Sequence, residues 1–552
     1  MKIRRLAMMS LTLYVLGTAA CSESVGESSA MEREPNDDYD DSNSGPIADS
    51  GHREGSDKMS GAESDWDAVD GELNAGDSYE DVGTNPFVLT AHDPFSTFAA
   101  DVDSASYDIF RRDINYGALP QPRSVRLEEY VNYFKYDYPA PAAEDDQPFQ
   151  ISLDASSDLF GNGTVLLRVG IQGMLPPARE KKPANLVFLI DTSGSMTSMN
   201  KLPLVQRLLT STLGVLDPTD KVSIVTYAGS TGVRLEPTEV AQKAEIEDVI
   251  SSLQSGGSTA GAAGIDLAYK QAEAGFIEGG INHVILCTDG DFNVGPSSDD
   301  ALVSLIEEKR KSGITLTVLG FGIGNLNDSM MEKISNAGNG IYGVISSTSQ
   351  ADEYVEHRLL SNLVLIAKDM KIQVEFNPEQ VKAYRLLGYE NRAIADDDFR
   401  DDTVDGGEVG AGHRVTALYE LVRPGNEIPA PQGAPELDQG DPVEGDREIA
   451  PSNLVMVKVR YKEVDATEED PAREVREIME GAQIRSSYQQ MDESFRWAVA
   501  IAAFAEILKE SPYANRDALP EIEGVVKEKT WLDGDRSEFV GLFDRAMEMM
   551  GY

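Results

Sequence analysis

Three short loops in this sequence offer oxygen atoms at spacings that suit a hard metal ion. Asp191-Thr192-Ser193-Gly194-Ser195 follows the apolar run Leu186-Val-Phe-Leu-Ile190 and precedes a helical pattern, so one turn presents a carboxylate and two hydroxyls. Gly256-Gly257-Ser258-Thr259 stands ahead of a second helical pattern, and Thr288-Asp289-Gly290 ends the apolar run Val284-Ile-Leu-Cys287. Magnesium asks for near-octahedral oxygen coordination. Hydroxyls from Ser193 and Ser195, with Asp191 acting directly or through water, leave such an ion under-neutralised and able to take an incoming carboxylate. Thr259 and Asp289 complete the sphere. Asp, Ser and Thr also favour turns and helix caps, but capping alone would not set all three loops at strand or helix junctions in this order.

Other candidates fare worse. Gly320-Phe-Gly322-Ile-Gly324 follows a strand but lacks the second half of a dinucleotide fingerprint. Cys287 sits inside an apolar strand, where a thiol is inert core. None of the five His has metal-ligand spacing with another. Ser193 has no recognisable His partner for nucleophilic work, and Asp291 is the only spare acid near the loops that could activate water. Asp101 and Asp103 sit in a stretch without the glycine and terminal Glu of a calcium loop. These readings favour a binding protein over an enzyme.

Positioning three loops at one place needs a particular scaffold. Residues 184 to about 350 alternate apolar strands with amphipathic helical segments, which predicts a mainly parallel sheet covered on both faces. The strands fall at 186–190, 222–227, 284–287, 315–319 and 341–345, and the helices at 202–213, 245–253, 262–275, 299–312 and 328–336. Ligands of such sheets gather at the carboxyl ends of the strands. Strand-like runs at 149–153 and 164–171 are matched much later by runs at 370–376, 415–421 and 453–461. The central domain is therefore expected to be inserted into a β-rich module assembled from both flanks. The apolar stretch Phe495–Leu508 predicts a buried helix near the C-terminus.

A net charge of −47, from 95 acidic and 48 basic residues, argues against nucleic acid as a partner. The first twenty residues carry Lys2, Arg4 and Arg5, an apolar stretch from Leu6 to Leu16, and Gly17-Thr-Ala-Ala20, the pattern of a secretory leader. Cys21 follows at once, and the acid-rich stretch to residue 84 reads as a disordered tether reaching about 45 Å or more. With Cys287 as the one other cysteine, no disulfide framework is available.

The three loops, in this order, resemble the metal-ion-dependent adhesion site of von Willebrand factor type A domains. Cys21 after Ala-Ala resembles the lipobox of bacterial lipoproteins, in which that cysteine is lipidated, and Ser22 after it implies the outer membrane. Asp93-Pro-Phe-Ser-Thr-Phe98, Val125–Phe134, Leu387–Arg392, Gly407–His413 and Val415–Glu420 look like blocks of the YfbK-type bacterial lipoproteins. The resemblance implies an α/β fold: a doubly wound, Rossmann-like von Willebrand A domain inserted between β-rich flanks, with a helical C-terminal part. It divides the chain into a lipoprotein signal peptide (1–20), an acidic linker (21–84), an N-terminal segment (85–182), the von Willebrand A domain (183–350) and a C-terminal β-rich and helical domain (351–552). The expected function is a cell-envelope lipoprotein, held by an N-terminal lipid anchor, in which Mg²⁺ or Mn²⁺ on Asp191, Ser193, Ser195, Thr259 and Asp289 captures an Asp or Glu carboxylate of a protein partner. The alternatives are an envelope scaffold with a structural metal, and metal-assisted hydrolysis.

Overall fold

Runs of β-branched and aromatic residues build strands on both sides of the centre, as their alternation requires. The computed structural model describes residues 76–100, 103–142, 147–157, 163–175, 182–257, 261–290, 299–359, 364–402, 404, 406–439, 449–464, 466, 470–528 and 533–552. The leader, Cys21, the linker up to residue 75, Thr259 and Asp291 lie outside the described residues. The N-terminal flank supplies β1 (Val88–Leu89), β2 (Phe95–Ala99), α1 (Ala105–Tyr116), α2 (Leu127–Asn132), β3 (Phe149–Ser157) and β4 (Val165–Gly173).

The central domain follows with β5 (Ala184–Asp191), α3 (Leu202–Val215), β6 (Lys221–Tyr227), β7 (Thr231–Glu239), α4 (Lys243–Ser252), α5 (Gly261–Ala274), β8 (Ile281–Thr288), α6 (Asp299–Arg310), β9 (Thr315–Phe321), α7 (Asp328–Ala337), β10 (Tyr342–Ile345) and α8 (Thr348–Tyr354). Its sheet runs β10-β9-β8-β5-β6-β7, parallel throughout except for β7. Every residue of β5 is buried, as a central parallel strand covered on both faces requires. Two apolar clusters, one on each face, share the strands between them. The strand β7 was not expected: it carries Pro237 and exposed charges, and it is tolerated because it lies at the sheet's edge and runs against β6.

The C-terminal flank adds β11 (Leu365–Phe376), β12 (Ala383–Leu387), β13 (Gly407–Gly410), β14 (Arg414–Val422), β15 (Asn453–Lys462) and β16 (Arg473–Glu480), then α9 (Glu493–Leu508), α10 (Leu519–Val526) and α11 (Gly534–Met549). Strands from the two flanks interleave. One antiparallel sheet has the order β1-β12-β14-β4-β3, and the other has β13-β11-β15-β16 with β2 paired to β11. The two sheets close over a common apolar core. The central domain is thus an insertion whose two junctions are close together: a Cβ placed on Gly173 would stand 2.7 Å from Ile366 Cδ1. The expected C-terminal helix is α9, buried along nearly its whole length against aromatic residues of α1, α2 and α11.

Buried charge joins the insertion to its surroundings. Arg126, at the start of α2, donates to Asp328 of α7 at 2.5 and 3.2 Å and also pairs with Glu129. Arg392 bridges Asp103 at 3.1 Å and Glu332 of α7 at 3.3 Å. Order also begins before Asn85. The side chain of Asp77 is fully buried and accepts from the Gly324 and Leu326 amides at 2.9 and 2.8 Å, with Arg112 at 2.8 Å on its other oxygen. Acid-rich composition misjudges residues 76–84 because this carboxylate finds backbone amides and a buried guanidinium waiting for it.

Candidate metal centre

The apolar run of β5 stops at Asp191, and the chain turns there because the carboxylate takes over its own backbone: Asp191 Oδ1 accepts the Ser193 amide at 2.7 Å. The Ser193 and Ser195 hydroxyls stand 2.9 Å apart on the same turn. From the neighbouring strand β8, Thr288 donates to Asp191 Oδ2 at 3.4 Å, and the Gly290 amide donates to the Thr288 hydroxyl at 3.2 Å. Asp191, Ser193 and Asp289 are all buried. Asp191, Ser193, Ser195 and Asp289 therefore stand at the carboxyl edge of the sheet, at the ends of β5 and β8.

The glycine loop is pinned against this turn by two backbone bonds. Gly194 donates to the Gly257 carbonyl at 3.1 Å, and Gly256 donates to the Thr192 carbonyl at 2.7 Å. Gly257 has φ +105°, and a Cβ on it would stand 3.1 Å from the Gly229 amide, so this close crossing needs glycine. Thr259, two residues further on, lies outside the described residues.

Burial pushes the Asp191 carboxyl up to about 6; the Ser193 amide and hydroxyl hold it down in part, the nearby Asp289 charge adds to the rise, and the Thr288 hydroxyl opposes it. An acid buried among hydroxyls and an amide is short of positive charge. Among the described residues no three His, Cys, Asp or Glu side chains come together as metal ligands. A cation here would rest on the two carboxylates of Asp191 and Asp289 together with hydroxyls, a donor set suited to a hard ion such as Mg²⁺.

Sequence reasoning missed three participants. Lys201, the residue before α3, is buried and its ammonium donates to Asp289 Oδ2 at 2.9 Å. Asn325 donates to the same oxygen at 3.4 Å. Asp77 holds the loop that carries Asn325, and the aromatic Tyr79 within an acid-rich tract was the available signal. The Gly320–Gly324 stretch, set aside as a dinucleotide mimic, forms the end of β9 and this same loop. Cys287 is fully buried, and burial raises its thiol well above the ordinary range, so it stays protonated core.

This fold, with its loops at the carboxyl edge, defines a von Willebrand factor type A domain. The profile described as "von Willebrand factor type A domain" matches residues 185–357, one described as "von Willebrand factor" matches 73–168, and one described as "Uncharacterized protein YfbK, C-terminal" matches 361–549. The chain is 37% identical over 482 residues to "Uncharacterized protein YfbK" of Escherichia coli (strain K12), covering 85% of this chain and 80% of that protein. It belongs to the YfbK family. Human inter-alpha-trypsin inhibitor heavy chain H4 is 27% identical over 169 residues, covering 29% of this chain and 18% of its own length. A solved von Willebrand factor type A structure from Catenulispora acidiphila aligns with a TM-score of 0.38 at 14% identity, covering 74% of this chain and 98% of that one. Domains of this type commonly bind a divalent metal at this edge of the sheet.

Proposed function

We propose that the chain is a non-enzymatic, cell-envelope lipoprotein anchored through Cys21, whose central domain binds a protein partner through a divalent cation. Asp191, Ser193, Ser195, Thr259 and Asp289 hold Mg²⁺ or Mn²⁺, and an Asp or Glu of the partner fills the open position. The observation that carries this reading is the buried Asp191 carboxylate beside two serine hydroxyls 2.9 Å apart, at the strand ends where ligands of such sheets gather. A protein-interaction role also agrees with relatives among the inter-alpha-trypsin inhibitor heavy chains.

A scaffold role with a purely structural ion is less well supported, because the loops already hold one another through Gly194–Gly257 and Gly256–Thr192 backbone bonds. Calorimetric titration of Mg²⁺ and Mn²⁺ into the full chain and an Asp191→Ala/Ser193→Ala variant separates the readings. Saturable binding in the native chain, lost in a variant that keeps its melting temperature, supports capture. Binding whose loss unfolds the variant supports the scaffold, and no binding in the native chain refutes both.

A further inference from the structure

We propose that Lys201 is a tethered cation that competes with the divalent ion for Asp289, and so sets the net charge that makes a bound ion require an outside carboxylate. The inference rests on the cation reading above. Lysine is almost never buried without a partner, yet here the stem is enclosed and the ammonium is directed at one specific oxygen, Asp289 Oδ2. The backbone fixes the origin of the side chain, since the Lys201 carbonyl accepts the Leu204 and Val205 amides at 2.8 and 3.1 Å. The opposite wall is Gly322, at φ +83°. A Cβ there would stand 2.7 Å from Lys201 Cγ and 2.8 Å from its Cε, so glycine leaves the channel that the stem occupies. Asp77 in turn fixes the loop that follows Gly322.

Charge then decides what the site can take. Asp191, Asp289 and Lys201 together carry one net negative charge, so a divalent ion leaves one net positive charge, which a single carboxylate cancels. Without Lys201 the two aspartates would neutralise the ion by themselves, and its attraction for an outside carboxylate would weaken. The ammonium and the ion also repel one another across a site of low dielectric, so Lys201 lowers the affinity for the ion while raising its demand for a partner.

Mn²⁺ titration into the full chain, followed by electron paramagnetic resonance with and without acetate, tests this on Lys201→Met, which keeps an apolar stem, and Lys201→Arg, which keeps the charge. The expected result is Mn²⁺ affinity raised about tenfold to a hundredfold in K201M, near-native affinity in K201R, and acetate strengthening Mn²⁺ binding in the native chain but not in K201M. A folded K201M that binds Mn²⁺ no more tightly than the native chain overturns the inference and leaves the cation reading standing. Absence of Mn²⁺ binding from the native chain and K201M alike overturns both. Should K201M fail to fold, the native chain gives the answer by itself: acetate is expected to strengthen its Mn²⁺ binding, and an affinity that acetate leaves unchanged refutes the inference.

Discussion

The two edges of the central sheet use polar residues in opposite ways. At the amino edge, polar groups bond mainly to one another. Asp220 accepts the Ala184 and Asp217 amides at 2.9 and 2.7 Å, and Asn185 and Asn282, register partners on β5 and β8, bond at 3.2 Å. Asn282 also exchanges bonds of 2.9 Å with both the amide and the carbonyl of Ile277, and Asn185 reaches the Ala272 carbonyl at 2.9 Å. At the carboxyl edge, Asp191, Asp289 and the two serine hydroxyls converge, and the Lys201 ammonium offsets part of their charge. One edge closes the fold, while the other holds charge in reserve at some cost to stability, the usual arrangement at a functional site.

The largest expected effect tests the closed edge. Asn282→Ala removes the partner of the Ile277 amide and carbonyl and of the Asn185 amide group, and is expected to cost about 3 kcal/mol in denaturant unfolding. Asp191→Asn, at the other edge and without added cation, is expected to cost nothing or to stabilise, since it removes a buried charge held near Asp289. Equal losses in the two variants would abolish the contrast. A smaller effect, about 2 kcal/mol, is expected for Asp77→Ala, which leaves the Gly324 and Leu326 amides without their acceptor. Hydrogen exchange should speed up at those two amides while the amino edge keeps its protection. Exchange rising equally at both edges would mean that Asp77 supports the whole domain and not the loop that carries Asn325.

How much of this was legible in the sequence depended on range. The strands β5 and β8, the loops at their ends and the insertion between interleaved flanks could all be read, because each leaves a local signal: a continuous apolar run, a cap-like turn, an alternating strand. β7, β12 and β16 were missed, since β7 breaks its pattern with Pro237, β12 is short, and β16 exposes most of its side chains. Lys201 was missed for another reason. Its partner lies 88 positions away, and a lysine just before a helix reads as solvent-facing until the fold encloses it. Asp77 is the same case at greater range, with its loop partners 247 and 249 positions away.

The closed edge has a weakness that acid should find. His283, near the start of β8, bonds to the Thr315 hydroxyl at 2.5 Å, and its Nε2 is buried without a partner among the described residues. A second proton would therefore sit on a buried nitrogen that has no acceptor among the described residues, and burial lowers the imidazole to about 3. The unfolded chain takes that proton near the ordinary value of 6.5. Stability from this group is accordingly complete above pH 6.5 and is lost as pH falls toward 3, by about 1.4 kcal/mol at pH 5.5. Buried acids pull the other way: Asp93, raised to about 7 by burial and by the Asp396 charge, favours the folded state as it gains its proton. The observable is therefore the difference between the native chain and His283→Gln, measured by denaturant unfolding at pH 7.5 and pH 5.5. The variant should lose less stability on acidification. Parallel curves would show water reaching the imidazole, and the amino edge would then be no more closed than the edge that carries Asp191 and Asp289.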